Sequence, residues 1–287
     1  LYKAKASVNL VQESLSQSRQ RVTDFSNLEK NGLLARNDLL KAELETSNIE
    51  LSLLDAQNNW KLANVSMNLM MGLPEKTELI PDSASLQGSG EVKNLDEYEQ
   101  LALQNRKDMQ SLSFHRKAAI ASITTAKADY YPSLALTGGY IALDIPKFIS
   151  VTNAFTVGAG LKYNLASLWK TDAKVEQARA RERQLQANEE LLNDNVRMEI
   201  NQAYENYLLT KKKIDVYAEA INQATENYKI TKNKYDNSLV TTTDLLDADV
   251  ASLQAKINFA YAKADEVVAY NKLLQSAGLL TIPTEKK

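Results

Sequence analysis

The sequence predicts a mainly α fold of long antiparallel coiled-coil helical hairpins in a duplicated arrangement, with one β-hairpin between the copies. Three observations carry this. First, the second half repeats the first 206 residues on. Asn31 pairs with Asn237, Leu33 with Leu239, Asp38-Leu39-Leu40 with Asp244-Leu245-Leu246, Ala42 with Ala248 and Gly72-Leu73 with Gly278-Leu279. Second, no glycine occurs between Gly160 and Gly278 and no proline between Pro146 and Pro283, so no backbone breaker interrupts helix there. Third, residues 155 to 165 alternate strictly between apolar and polar, the period of a strand.

Residues 1–73 form the first hairpin: helix to about residue 30, a polar turn from Asn31 to Asn37, then helix from Asp38 to Met71. Gly72-Leu73-Pro74 stops that helix, and residues 74–94, with Pro81, Gly88, Ser89 and Gly90, make an irregular connector. Residues 95–131 hold a third helix, predicted as one piece from Leu95 to Asp129. Pro132 ends it by biasing Tyr131 toward an extended backbone.

Residues 132–166 are predicted as a strand pair, roughly 132 to 143 and 153 to 165, around a loop containing Pro146. Leu134, Leu136, Gly138 and Tyr140 share one face of the first strand. Phe155, Val157, Ala159, Leu161, Tyr163 and Leu165 share one face of the second. A tilted membrane-spanning strand needs about 9–11 residues, so this pair fits either a membrane barrel or a soluble hairpin packed on a core.

Residues 167–280 form the second long hairpin. Leu168 to Asn237 is one candidate helix, which at about 1.5 Å per residue reaches about 100 Å. Ile200, Tyr207, Ile214, Ile221, Tyr228 and Tyr235 recur every seven residues. The closing helix answers with Leu246, Val250, Leu253, Ile257, Ala260, Ala264, Val267, Asn271 and Leu274, so the two should pack antiparallel across a turn at 238–243. Residues 281–287 are a tail.

A formal charge of −2 supplies no basic stripe for nucleic acid, which is therefore not an expected partner. With no cysteine there are no disulfides and no thiolate chemistry. No apolar run reaches about eighteen residues, and the opening Leu1-Tyr2-Lys3 reads as a cut or processed N-terminus. His115 has neither a second histidine nor a cysteine to complete a metal set, and reads as a helix-surface residue. Nothing resembles a nucleophile with a base, a phosphate loop or a paired-carboxylate cleft, so neither catalysis nor a cofactor or metal is expected.

Three segments together resemble the TolC-like outer-membrane efflux proteins over nearly the whole chain. Ala102-Leu103-Gln104-Asn105-Arg106-Lys107-Asp108 with Ala126-Lys127-Ala128-Asp129-Tyr130-Tyr131-Pro132-Ser133-Leu134-Ala135-Leu136 is similar to that family's helix entering its membrane strand. Val175-Glu176-Gln177-Ala178-Arg179-Ala180 resembles its restart of helix. Tyr235, Leu239, Val240 and Thr243-Asp244-Leu245-Leu246-Asp247-Ala248 resemble its periplasmic tip.

The resemblance implies a homotrimer in the outer membrane of a Gram-negative bacterium, with most of the chain in the periplasm. Its partners would be a periplasmic adaptor, an inner-membrane transporter and outer-membrane lipid. The duct would serve tripartite efflux or type I secretion, passing small molecules or proteins. The 132–166 pair would join an outer-membrane β-barrel, with Phe155, Val157, Ala159, Leu161, Tyr163 and Leu165 facing lipid and Trp169 at the boundary. One strand pair per chain supplies half the strands of the family's barrel, so the chain reads as N-terminally truncated. Ser167-Leu168-Trp169-Lys170-Thr171 also departs from the family, which usually has glycines at that turn. The alternative is a non-channel coiled-coil protein, either an adaptor-type hairpin or a scaffold. The duplicated hairpin disfavours the first and the strand alternation the second.

By the same resemblance Asp244 and Asp247 match acidic rings that narrow the family's periplasmic aperture, Tyr235 its tyrosine and Asp38 the acidic residue of the neighbouring hairpin. The residues alone also permit a helix start, with Asp244 or Thr243 as N-cap and Asp247 favoured by the helix dipole. Val240 stands where the family has the arginine of its closing lock, and Arg36 is the nearest basic residue. The apolar pairs Leu33-Leu34 and Leu239-Val240 occupy turns where polar side chains are usual. They suit either adaptor contact or packing between hairpins.

Overall fold

The computed structural model describes residues 1–82, 92–145, 147, 149–164 and 167–280. Its contacts group the chain into two units. One joins Leu1–Tyr98 to Ile200–Ser276, and the other joins Glu99–Glu199 to Ala277–Leu279.

In the first unit α1 (Tyr2–Lys30) and α2 (Arg36–Met71) form an antiparallel hairpin. Its seam is Val11 and Leu15 against Ile49 and Leu53, then Phe25 against Leu39 and Ala42. Between these clusters the hydroxyls of Ser18 and Thr46 hydrogen-bond at 2.7 Å. Burying each large apolar side chain here stabilises the pair by roughly 1.5–3 kcal/mol. α2 starts at Arg36, two residues before the expected Asp38, because Ala35 already adopts the extended N-cap conformation.

α5 (Ser167–Asp236) is one continuous helix of 70 residues, and α6 (Thr242–Ser276) folds back on it. Tyr207 packs on Tyr270 with ring centroids 5.8 Å apart, and the Tyr235 hydroxyl lies 3.4 Å from Thr242 Oγ1. The residue numbers of both pairs have the same sum, as an antiparallel register requires. The predicted α5 seam is covered: Ile200 and Tyr207 are buried, and Ile214, Ile221, Tyr228 and Tyr235 half-buried.

The α6 seam needs correction. Of the predicted series Leu246 and Ala264 are buried and Leu253, Ile257, Ala260, Val267 and Leu274 half-buried, but Val250 and Asn271 are exposed, and the series misses the buried Thr242, Leu245, Ala248, Ser252, Ala255, Ala262, Glu266, Ala269, Leu273 and Ser276. The cause is a second neighbour. Ile257 packs on the cluster of Val11, Leu15, Ile49 and Leu53, and Leu245 on Phe25, Leu39 and Ala42, so α6 divides its apolar face between the α1–α2 hairpin and α5.

Beyond α2 the connector is held by two asparagines. Asn64 Nδ2 donates to Thr77 O at 2.7 Å, Asn68 Nδ2 to Glu75 O at 3.1 Å and Thr77 O at 2.8 Å, and Leu79 N–H donates back to Asn64 Oδ1 at 2.9 Å. Residues 83–91 of the predicted connector lie outside the described residues.

The predicted third helix is in fact two, α3 (Leu95–Asn105) and α4 (Lys107–Ala128). Arg106 between them takes an extended conformation, φ −66° and ψ 126°. Its guanidinium pairs with Asp108 at 2.7 Å and Glu199 at 2.7 Å. A Cβ on Gly278 would lie 3.1 Å from both Arg106 N and Asn105 C, so the break is where Gly278 meets the backbone. Within this unit α4 runs antiparallel to the first part of α5 through ion pairs of Arg116 with Glu182 (3.2 Å) and Glu189 (3.1 Å), and of Asp129 with Lys174 (2.6 Å).

β1 (Ser133–Ile145) and β2 (Ile149–Lys162) pair antiparallel, from Ser133 opposite Lys162 to Ile145 opposite Ile149, with an irregularity between Ile141 and Leu143. The strands run further toward their turn than the predicted bounds at 143 and 153. β2 stops at Lys162, so Tyr163 follows the strand. Leu165 and Pro146 lie outside the described residues. Among the described residues no helix is long and apolar enough to cross a membrane.

Candidate functional site

The two helical tips share one backbone plan. In the first, Gly32 is left-handed at φ 70°, Gly32 N–H donates to Glu29 O and Leu33 N–H to Leu28 O, both at 2.9 Å. In the second, Ser238 is left-handed at φ 61°, its N–H donates to Tyr235 O at 2.8 Å and Leu239 N–H to Lys234 O at 2.9 Å. This is the paired-bond termination in which a left-handed residue lets two orphan carbonyls find donors. Even the side-chain bonds repeat: Asn31 Nδ2 donates to Asn27 O, and Asn237 Nδ2 to Asn233 O, each at 2.7 Å.

That plan divides each apolar pair. Leu33 and Leu239 stand 74% and 73% exposed, while Leu34 and Val240 are half-buried, Leu34 against the Phe25–Leu39 cluster. The tips also touch each other within the unit. Tyr235 stacks on Phe25 with centroids 5.6 Å apart, and Leu245 packs with Phe25, Leu39 and Ala42. Lys41 Nζ lies 3.3 Å from both Asp38 Oδ1 and Thr243 Oγ1, so the cation of one tip reaches the hydroxyl of the other.

Thr241, rather than Thr243 or Asp244, caps α6. Its Oγ1 accepts from Asp244 N–H at 3.2 Å, while Asp244 Oδ2 accepts from Thr241 N–H at 2.8 Å and Oγ1–H at 2.7 Å. This is a reciprocal capping box. Hydrogen bonds from the Thr241 hydroxyl, then from its backbone, hold the Asp244 carboxyl below its usual range. Asp247, one turn on, is exposed and takes no hydrogen bond or ion pair among the described residues. Both carboxylates therefore face outward from the same turn. Arg36 lies 3.8 Å from Glu29 of its own hairpin and is largely solvated.

In the strand pair, register places the two apolar series opposite each other: Leu134 with Leu161, Leu136 with Ala159, Gly138 with Val157 and Tyr140 with Phe155. Tyr140 and Phe155 rings meet at 5.1 Å. This face is uncovered within the chain, Leu136 being 82% and Val157 91% exposed. The opposite face is polar, with Thr137 Oγ1 donating to Gly158 O and Thr156 Oγ1 to Gly139 O, both at 3.3 Å. Trp169 is exposed near the start of α5.

Two polar clusters escaped the sequence reading. Arg21 of α1 donates to Asp249 of α6 at 2.8 Å and to the Tyr228 hydroxyl of α5 at 3.3 Å. The Arg106–Asp108–Glu199 cluster is the second. Neither has a sequence signature, since the partners lie on separate helices and Arg21 aligns with Asn227 in the repeat.

Duplicated helical hairpins carrying a strand pair with one bare apolar face are the fold of outer-membrane channel proteins. The outer membrane protein VceC from Vibrio cholerae is similar at 19% identity over 96% of this chain and 66% of that one, with a TM-score of 0.75. The CmeC outer membrane channel of Campylobacter jejuni is similar at 18% identity over 96% of this chain and 59% of that one, with a TM-score of 0.73. The MtrE outer membrane channel of Neisseria gonorrhoeae, solved in its open state, is similar at 17% identity over 97% and 65%, also with a TM-score of 0.73. The chain thus spans less than two thirds of each of these structures, and the likeness establishes the fold.

Residues 99–279 match the outer membrane efflux protein family, and the chain belongs to it. That family consists of outer-membrane efflux channels, which are not enzymes. No curated protein sequence matches.

Proposed function

We propose that the intact protein is a passive exit duct in the outer membrane of a Gram-negative bacterium. It works as a homotrimer with a periplasmic adaptor and an inner-membrane transporter, in tripartite efflux or type I secretion. Residues 1–73 and 167–280 are its periplasmic hairpins, 74–94 its equatorial connector, 95–131 the approach to the membrane and 132–166 its membrane strands. The observation that carries this reading is the strand pair, whose bare face of Leu134, Leu136, Tyr140, Phe155, Val157 and Leu161 suits lipid and whose other face is lined by threonines and glycines. Family membership supports it and weighs against an adaptor or scaffold.

In this reading Asp244, Asp247, Tyr235 and Asp38 border the aperture, and the exposed Leu33 and Leu239 meet the adaptor while Leu34 and Val240 anchor the turns behind them. Phe155, Val157, Ala159 and Leu161 face lipid, and Tyr163 follows the strand at the membrane edge. The test is single-channel conductance of the intact protein in a planar bilayer, with and without a millimolar multivalent cation on the side of the helical tips. Discrete steps blocked by the cation are expected. Absence of steps from folded trimers would overturn the reading.

A further inference from the structure

We propose that the last turn of α2 binds a soft monovalent cation, Cu(I) or Ag(I), through the thioethers of Met67, Met70 and Met71. The site stands on its own geometry and does not depend on the duct reading above. With no cysteine and one histidine in the chain, methionine is the soft donor that remains. Three of the five methionines fall within residues 67–71.

Their spacing is i, i+3 and i+4, which puts the three side chains on one face of the helix, with the Met67 Cβ about 5–6 Å from that of each of the other two. Three rotatable bonds let each thioether swing onto a shared ion while the backbone stays fixed. The face is open. Met67, Met70 and Met71 are 36%, 80% and 50% exposed, and a Cβ built on the adjacent Gly72 meets nothing within 4 Å. Between them Asn68 is fully buried and donates to Glu75 O and Thr77 O, which fixes the rotation of this turn.

The duplicate turn in α6 shows that the backbone plan does not itself call for methionine. Met67, Met70 and Met71 align with Leu273, Ser276 and Ala277, all fully buried and without sulfur. Both turns end on a left-handed glycine, Gly72 and Gly278, so one turn carries covered packing residues where the other presents accessible soft ligands. Electrostatics favour a cation at the same place. Gly72 N–H donates to Leu69 O at 3.3 Å and Leu73 N–H to Asn68 O at 2.9 Å, while the carbonyls of Met70 and Met71 have no donor among the described residues. The last turn also holds no basic side chain, so the negative end of the helix dipole faces the ion uncompensated. Thioethers select soft ions, whereas magnesium and calcium require oxygen donors.

The test follows the selectively labelled methionine methyl groups of the intact protein by NMR as Ag(I) is added in chloride-free buffer. The Met67, Met70 and Met71 signals are expected to shift together and to saturate at one ion per chain, while Met109 and Met198 stay in place. Met198 is exposed and reports what a lone surface thioether does. Met67→Leu nearly conserves volume and should weaken binding by about tenfold or more, and replacing all three by leucine should abolish it. Zn(II) should move none of these signals. Shifts at Met198 equal to those of the three, binding retained in the triple variant, or no shift at all would each overturn the site.

Discussion

Ser238 occupies in the second tip the left-handed position that Gly32 occupies in the first, at φ 61° against 70°. The two residues stand 206 positions apart, and each is followed by a leucine whose N–H closes the same bond at 2.9 Å. The duplication therefore preserved the turn and changed the residue on which its conformation depends. A Cβ costs energy at that φ, so the second tip holds strain that the first does not.

Ser238→Gly is expected to stabilise the second tip by about 0.5–1 kcal/mol, after allowing for the greater freedom of glycine in the unfolded chain. Exchange of the Leu239 amide should slow by about two- to fivefold, and Gly32→Ser should speed exchange at Leu33 by a similar factor. Equal exchange in wild type and Ser238→Gly would show that the serine is unstrained. No atom lies within 4 Å of a Cβ built on Gly32, so its effect isolates backbone strain from crowding.

The caps differ in the same way. Thr241 and Asp244 form a reciprocal box, while their counterparts Ala35 and Asp38 cannot, because alanine has no acceptor. Ala35→Thr should complete the first box and stabilise α2 by about 0.5–1 kcal/mol, read as a higher thermal midpoint. An unchanged midpoint would mean that Lys41 holds Asp38 in place against the new cap.

The Asp244 box also carries a pH dependence of definite sign. Its carboxyl titrates below the ordinary value near 3.8, so the bond is present above that value and is lost as pH falls through the lower one. Acidification into this range should speed exchange at the Thr241 and Asp244 amides in the wild type and change little in Asp244→Asn, which has no carboxyl to titrate. Equal acid response of the two proteins would assign the loss to other carboxylates.

Much of this architecture is legible in the chain because repetition is a property of order. The offset locates both tips and both closing glycines, and the absence of breakers locates α5. The break at Arg106 is not legible, since arginine is a good helix former; it arises from Gly278 against the backbone and Glu199 against the guanidinium. The α6 phase is hidden for a similar reason, because a heptad seam reports one neighbour and α6 has two. At the tips, sequence flags Leu33-Leu34 and Leu239-Val240 as misplaced apolar pairs. Only the left-handed turn decides which member faces out. Arg21 and Asp249 are ordinary helix-surface charges until three helices converge on them.

Gly72 and Gly278 end the second helix of each hairpin at φ 68° and 69°, yet their surroundings differ. A Cβ at Gly72 meets nothing within 4 Å, whereas at Gly278 it meets Arg106 and Asn105 at 3.1 Å. Gly72→Ala should thus cost only the conformational strain, about 1 kcal/mol, and Gly278→Ala distinctly more because the α3–α4 break must shift. Thermal midpoints of the two variants measure the difference. Equal losses would mean that the break yields freely to a methyl group.

Asp244 and Asp247 differ in how they could serve an acidic aperture, and the difference is testable. Asp244 is engaged by Thr241, which fixes its carboxylate and favours ionisation, whereas Asp247 is free to move toward a cation. If three copies converge at the tip, both rings attract cations, with the capped residue supplying the fixed charge and the uncapped one the adaptable ligand. Asp247→Asn is therefore expected to weaken block by a multivalent cation without disturbing α6. Asp244→Asn should weaken it too, while also speeding exchange at the start of α6, because asparagine keeps an acceptor but loses the charge that strengthens the box. The double substitution should abolish most of the block and reduce cation preference in bilayer recordings. Selectivity and block unchanged in the double variant would leave Asp244 as a helix cap alone and move the narrowest point of the duct away from these two rings.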